Sequence, residues 1–219
     1  MATYKYASWT FGQVEALINI LGGDEVARNI LAGKVKVVAQ TVQQVIETLL
    51  DFAGTVTVPA TTSKLVAKEK FMISTERNAP VKISYLGDNF TAWFLNNDGK
   101  IEDPITEQTL RYHKLRQSSV DGPIITELGG EAKAETTLSE MFSLMEKQKH
   151  GEDGVLLNNG YANIFYIKDQ NSVLRAVYVY WDGDSWYVYA YSVEYPRRWG
   201  DGRQVFSRNS VLESSETEA

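Results

Sequence analysis

Between Leu174 and Val193 the chain reads LRAVYVYWDGDSWYVYAYSV, alternating with a period of two. A helix cannot gather such a pattern onto one side, whereas a strand points successive side chains to opposite faces. Asp182-Gly183-Asp184-Ser185 suits a four-residue hairpin loop, and the register follows from it. Trp181 is expected opposite Trp186, Val179 opposite Val188 and Val177 opposite Ala190, all on a core face. The other face then carries Tyr178, Tyr180, Tyr187, Tyr189 and Tyr191.

Six of the 12 tyrosines and three of the 5 tryptophans lie between Tyr178 and Trp199, so the aromatic richness is local. Five tyrosines can cover on the order of 800 Å², about one partner's share of a standard interface. Two destinations for this face stay open: a partner, or the chain's own helices, either the one expected from Thr137 or those at the N-terminus. Its composition favours the partner. A core-facing set mixes Leu, Ile and Phe, whereas this one is all Tyr and runs on into Tyr195, Arg197, Arg198, Trp199, Asp201 and Arg203. With Asp182, Asp184 and Ser185 at the loop, the set has the make-up of an antibody paratope, rigid amphipathic rings among small adaptable polar residues.

The rest of the chain predicts an α+β fold: an N-terminal helical hairpin plus antiparallel sheet, with a C-terminal β-meander packed on a helix. Residues 1–53 read as helical. Val14, Leu17, Ile18 and Leu21 recur at helical spacing up to Gly22-Gly23, Asp24 can cap a second helix ending at Gly33, and Thr41–Phe52 returns to a helical period after a short strand at Lys34–Ala39. Residues 54–130 form a small β-rich region with strands at Thr55–Val58, Lys70–Ser74, Val81–Tyr85 and Phe90–Leu95, and a polar stretch from Asp103 without clear elements. In residues 131–210, Thr137 and Glu140 make a capping box for a helix with Leu138, Met141, Phe142 and Met145 on one stripe. Strands at Tyr161–Lys168, Val173–Trp181, Trp186–Val193 and Gln204–Ser207 follow as a meander, and residues 211–219 are an acidic tail.

Composition narrows function further. The 219 residues carry a formal charge of −6, which disfavours a general attraction to nucleic-acid phosphates or anionic membranes, although a local basic patch stays open. The first 51 residues hold four Lys or Arg against five Asp or Glu, so the N-terminal helices lack a basic footprint for nucleic acid. With no cysteine there is no disulfide, thiolate metal site or thiol nucleophile. Neither a signal peptide nor a membrane-spanning run is legible, so a cytoplasmic location is the default expectation, with surface display left open. The chain has 2 histidines. His113 sits with Arg111, Lys114 and Arg116 in a small basic cluster, and His150 reads as a last-turn residue of the capped helix. No HExxH, GxSxG, P-loop or GxGxxG pattern occurs, and the Asp182/Asp184 pair lies on a solvated loop tip, so neither catalysis nor a cofactor is expected.

The segment GYANIFYIKDQNSVLRAVYVYWDGDSWYVYAYSVEYPRRWGDGRQVFSRNS resembles the C-terminal region of a group of uncharacterised bacterial proteins, as do APVKISYLGDNFTAWFL and TLRYHKLRQSSVDGPIITELGG upstream. That resemblance implies no biochemistry. The alternation of Tyr, Asp, Ser and Arg with fixed Val and Trp is also similar to the variable region of diversity-generating retroelement target proteins, in which adenine-directed mutagenesis varies ligand-contacting codons. It implies that Tyr178, Tyr180, Asp182, Asp184, Ser185, Tyr187, Tyr189, Tyr191, Tyr195, Arg197, Arg198, Gly200, Asp201 and Arg203 vary, while Val177, Val179, Trp181, Trp186 and Val188 serve as scaffold. The GGSW-like and GFR-like frame of the C-type-lectin members of that class is absent. The expectation is therefore a non-enzymatic binding protein whose hairpin face, with Trp199 beside it, meets a protein or glycan ligand; the alternative is a carbohydrate-binding module or glycan-active protein.

Overall fold

The computed structural model describes residues 10–20, 23–34 and 48–208. The chain divides into two compact units, Met1–Ile46 and Glu47–Ala219. In the first, α1 (Phe11–Ile20) and α2 (Asp24–Leu31) make the expected helical pair. Thr10 and Gln13 close the start of α1 reciprocally: the Gln13 N–H donates to Thr10 Oγ1 at 3.3 Å and the Thr10 N–H to Gln13 Oε1 at 2.8 Å. Such bonds satisfy donors that a helix start leaves orphaned. Gly23 takes the capping position of α2, so Asp24 enters as its first helical residue instead of its cap. Residues 35–39 of the strand expected at Lys34–Ala39 and residues 41–47 of the next expected helix lie outside the described residues.

The second unit holds β1 (Leu50–Val58), β2 (Leu65–Val66), α3 (Ala67–Lys70), β3 (Ile83–Leu86) and α4 (Asp88–Phe90), which runs on as a π-helical turn over Thr91–Leu95. After β4 (Ile101–Glu102) and β5 (Gln108–Leu115) come α5 (Asp121–Glu127), α6 (Glu131–Ala134), β6 (Glu135–Thr136) and α7 (Leu138–Lys147). The last four strands are β7 (Asn163–Lys168), β8 (Leu174–Trp181), β9 (Trp186–Ser192) and β10 (Gln204–Arg208). One eight-stranded mixed sheet runs in the order β1-β5-β10-β7-β8-β9-β3 with β6 beside β7, and β2 pairs with β4 apart from it. The strands read from sequence as a small middle sheet and those of the C-terminal meander thus share one sheet. The meander itself covers only β7, β8 and β9. After β9 the chain crosses back, and β10 inserts parallel to β7 and antiparallel to β5.

Both faces of the centre are buried. On one, Phe165 and Ile167 of β7, Val177, Val179 and Trp181 of β8 and Trp186, Val188 and Ala190 of β9 pack with Leu138, Met141, Phe142 and Met145 of α7. On the other, Ile164, Tyr166, Ala176, Tyr178 and Val205 pack with Ile124 and Ile125 of α5, Ala134 of α6 and Trp199. A strand covered twice reads as a continuous apolar run, which is why NIFYIK in β7 lacks clean alternation. The capping box of α7 is present as expected. Its start is also held by the buried Glu102 carboxylate, which accepts from the N–H groups of Leu138 and Ser139 at 2.9 and 2.8 Å and from Ser139 Oγ at 2.7 Å. Among the described residues no helix is long and apolar enough to cross a membrane.

Three expected elements change type. Leu50–Phe52, expected to end a helix, begin β1: they pair with Leu115–His113 of β5, while the Glu127 carboxylate accepts from the N–H groups of Leu49 and Leu50, each at 2.8 Å. Phe90–Leu95, expected as a strand, is helical, because Phe90 and Phe94, four residues apart, stack at 5.1 Å and are both fully buried. Short apolar runs fit either period, and tertiary burial decides. Lys70–Ser74, expected as a strand, holds the end of α3 and a single bridge from Ser74 to Ile83. The polar stretch left unassigned contains β5 and α5.

The hairpin tryptophans lock α7 to the sheet. Trp181 and Trp186 meet edge to face at 5.4 Å, and the Trp186 indole N–H donates to Gln148 O at 2.9 Å. The turn after α7 is shaped to admit them: Gly151 has φ 75°, and a Cβ there would overlap the Trp181 indole. Gly151→Ala is therefore expected to cost about 2–4 kcal/mol, combining a left-handed backbone with overpacking. Chemical denaturation would measure it, and a loss below about 0.5 kcal/mol, the scale of a neutral surface change, would refute this account of the turn.

Candidate functional site

The register deduced for the hairpin is the one observed. Trp181 pairs with Trp186, Val179 with Val188 and Val177 with Ala190, while Tyr180 pairs with Tyr187 and Tyr178 with Tyr189 on the alternate face. The tyrosines form a ladder whose rings face one another: Tyr178–Tyr189 at 5.1 Å and 10° between planes, Tyr180–Tyr187 at 5.1 Å and 20°, Tyr180–Tyr189 at 6.0 Å and 15°. A sixth rung, Tyr85, comes from β3, which pairs parallel with β9 and sets Tyr85 beside Tyr187 at 5.9 Å. Sequence reasoning missed it because period-two alternation gives a side chain's face but not a strand's neighbour.

Helix α7 covers the Val/Trp face and so does not cover the ladder. Cover comes instead, at one end, from the crossover between β9 and β10. There Trp199 lies edge-on to Tyr178 at 5.2 Å and packs near Tyr191 at 6.1 Å. Tyr178 is buried, Tyr180, Tyr187, Tyr189 and Tyr191 are half-buried, and Tyr85 is 40% exposed. The ladder thus runs from a closed end at Trp199 to an open end at Tyr85.

Trp199 is fixed by a buried carboxylate. Its indole N–H donates to Asp121 Oδ1 at 2.7 Å, and the Tyr166 hydroxyl donates to the same oxygen at 2.9 Å. Ser119 and Trp199 also exchange backbone bonds of 3.0 and 2.7 Å. Asp121 Oδ2 has no partner among the described residues. Burial raises the Asp121 carboxyl above its ordinary value, and the bonds from Trp199 and Tyr166 oppose that rise. The phenols are likewise pushed upward by burial, Tyr178 with help from its hydrogen bond to Tyr191 and Tyr180 from its neighbour Tyr189. They stay neutral hydroxyls at physiological pH.

Beside the closed end lies a cleft of about 240 Å³, lined by Gly160, Ala162, Tyr178, Tyr180, Tyr191, Arg197, Arg198, Trp199 and Arg203. It gathers half of the candidate residues. Arg197 lies over the Tyr191 ring at 4.4 Å, Arg198 Nη1 donates to Ser118 O at 3.3 Å, and Arg203 lies 5.8 Å from the Tyr161 ring centre. The others sit apart from the cleft. Tyr187 and Tyr189 belong to the middle and open end of the ladder, Asp182 and Asp184 are exposed at the hairpin tip, and Tyr195 and Asp201 are exposed on the crossover. Ser185 is buried with its hydroxyl donating to Ser84 Oγ at 2.7 Å, so it anchors the tip and offers nothing to a ligand.

The basic cluster expected around His113 is dispersed by strand alternation. Arg111 and His113 share one face of β5, where Arg111 lies 4.8 Å over Phe52 and His113 meets the same ring at 5.6 Å; Arg116 pairs with Asp51 at 3.3 Å. Burial lowers the His113 imidazole, Arg111 adding to this and Glu127 opposing it. His150 lies beyond the end of α7, its N–H donating to Glu152 Oε2 at 2.7 Å. Among the described residues no group of three or more His, Asp or Glu is placed to hold a metal ion.

Asp121 yields a test with a defined sign. Its folded-state value stands above the ordinary 3.8, so the folded chain holds the proton more tightly. That contribution is complete below about pH 3.8 and is lost as pH rises through the folded value. Asp121→Asn keeps an oxygen acceptor for Trp199 and Tyr166 and removes the titration. Its stability should fall less with rising pH than the wild type's. Asp121→Ala strands both buried donors and should cost about 2–5 kcal/mol. Thermal melts across this pH range decide: parallel curves for wild type and Asp121→Asn would disprove the assignment.

No family model, curated protein or solved structure matches this chain.

Proposed function

We propose that this chain is a non-enzymatic binding protein that offers the tyrosine ladder and the adjoining arginine cleft to a macromolecular ligand. The observation carrying this reading is the ladder's asymmetry: helix α7 buries the opposite face, whereas four of the hairpin tyrosines and Tyr85 keep solvent-facing surface over a rigid, doubly packed sheet. Rigid aromatic anchors next to arginine are what binding hot spots are made of, since little entropy is lost on ordering them.

Mutual stacking also bears on the kind of ligand. The rings of Tyr178, Tyr180, Tyr187 and Tyr189 turn their faces to one another, which takes those faces up within the ladder. Sugar recognition by aromatic residues uses exposed ring faces, so the ladder suits a protein surface better than a glycan. The separation of scaffold positions Val177, Val179, Trp181, Trp186 and Val188 from outward Tyr, Asp and Arg positions supports a further reading, that this surface belongs to a diversified set. Buried Ser185 and Trp199 would then be fixed rather than varied.

Tyr180, Tyr187 and Tyr189 are half-buried, so replacing all three with Ser should lower thermal stability without abolishing the native fold, and should abolish capture of the ligand by the immobilised protein. Retained capture by a folded triple variant would end the proposal. For diversification, the coding DNA should carry a near-repeat differing at adenines, close to a reverse transcriptase gene. A unique sequence there would remove that reading and leave the binding role standing.

A further inference from the structure

Three arginines line the cleft although the chain as a whole is acidic. Among the described residues none of the three has a carboxylate within ion-pair distance, whereas Arg28, Arg116, Arg175 and Arg208 each do. Arg197, Arg198 and Arg203 are held instead by a tyrosine face, a backbone carbonyl and a second tyrosine ring. Such contacts position a guanidinium without neutralising it.

The backbone is arranged for this placement. Leu115 N–H donates to Arg203 O and Gly202 N–H to Leu115 O, both at 2.8 Å, tying the root of Arg203 to β5. Gly200 leaves room for the side chain, since a Cβ there would overlap the Arg203 guanidinium. The phenol network adds a neutral donor: Tyr178 donates to the Tyr191 hydroxyl at 3.0 Å, which leaves Tyr191 its own hydrogen to give in the cleft it lines.

Donor count selects the ligand group. A carboxylate has two oxygens, which a single guanidinium fork satisfies, and a phosphodiester has two free oxygens and one charge. A phosphate monoester has three free oxygens and a charge of about −1.5 to −2, and so can use three forks at once. The cleft, at about 240 Å³, has room for a carrier group beside the phosphoryl, and tyrosine and tryptophan wall it.

We infer that the cleft binds a phosphate monoester, with Arg197, Arg198 and Arg203 on the phosphoryl oxygens and an aryl carrier, as in a phosphorylated tyrosine side chain of a protein, against Tyr180 and Tyr191. This rests on the binding reading above and gives that ligand a chemical class. The three positions belong to the crossover that closes the ladder, so the phosphoryl group would fix the closed end while the partner's surface runs along the tyrosines.

The test is calorimetric titration of the full chain with phenyl phosphate, inorganic phosphate, benzoate and a single-stranded oligonucleotide. Phenyl phosphate should saturate one site and bind more tightly than the other three. Arg197→Gln, which changes an exposed side chain, and Arg203→Gln should each weaken it roughly 10- to 100-fold. Gly200→Ala, by displacing the Arg203 guanidinium, should weaken it in the same direction, and Lys64→Gln, remote from the cleft, should leave it unchanged. Benzoate binding as tightly as phenyl phosphate, tighter binding of the oligonucleotide, or unaltered affinity in folded Arg197→Gln would each overturn the inference. Inorganic phosphate binding as tightly as phenyl phosphate would overturn the aryl carrier. If wild type ignores phenyl phosphate while the triple tyrosine variant still loses its partner, this inference fails and the binding role survives.

Discussion

The Asp121 carboxylate, fully buried and accepting from both Trp199 and Tyr166, joins the start of α5, the centre of β7 and the crossover after β9. A carboxylate out of water is costly unless donors meet it, so these three pieces are held in one arrangement. Everything at the closed end of the ladder depends on that arrangement. With Trp199 fixed, Tyr178 has a wall, the arginines on either side have defined roots, and the cleft has a shape.

The hairpin was legible in the sequence to the level of individual pairs, because Val177, Val179 and Trp181 alternate with Tyr178 and Tyr180 and the loop has turn chemistry. The cap of α7 was legible for the same local reason, Thr137 and Glu140 standing three apart. What was hidden is non-local. Nothing in Gln204–Arg208 says that it lies between β5 and β7 instead of extending the meander, and nothing near Ser84-Tyr85 says that β3 runs parallel to β9. The arginines could be named from composition, but the cleft that unites them arises only from the crossover's path. Ser185 shows the converse, a residue type suited to a paratope that the fold consumes internally.

The ladder also shows how a sheet can carry many aromatics on a half-open face. Offset ring pairs at 5–6 Å satisfy one another sideways, each worth about 0.5–1.5 kcal/mol beyond area burial. The apolar surface left to water is correspondingly reduced. A face of this kind stays compatible with water and still presents closely spaced hydrogen-bonding groups in fixed positions.

The place of β10 has a consequence for assembly. β7, β8 and β9 pair as neighbours in sequence, β1 pairs with β5 across the long connection from Val58 to Gln108, and the seam between the two groups stays open until residues 204–208 enter it. During synthesis the two halves must wait with unpaired edges on β5 and β7, the kind of edge that invites mispairing. The strand that closes the seam is drawn in by the same crossover that carries the arginines. Completion of the sheet and creation of the cleft therefore depend on the same segment, and a sheet that lacks β10 has no cleft to offer.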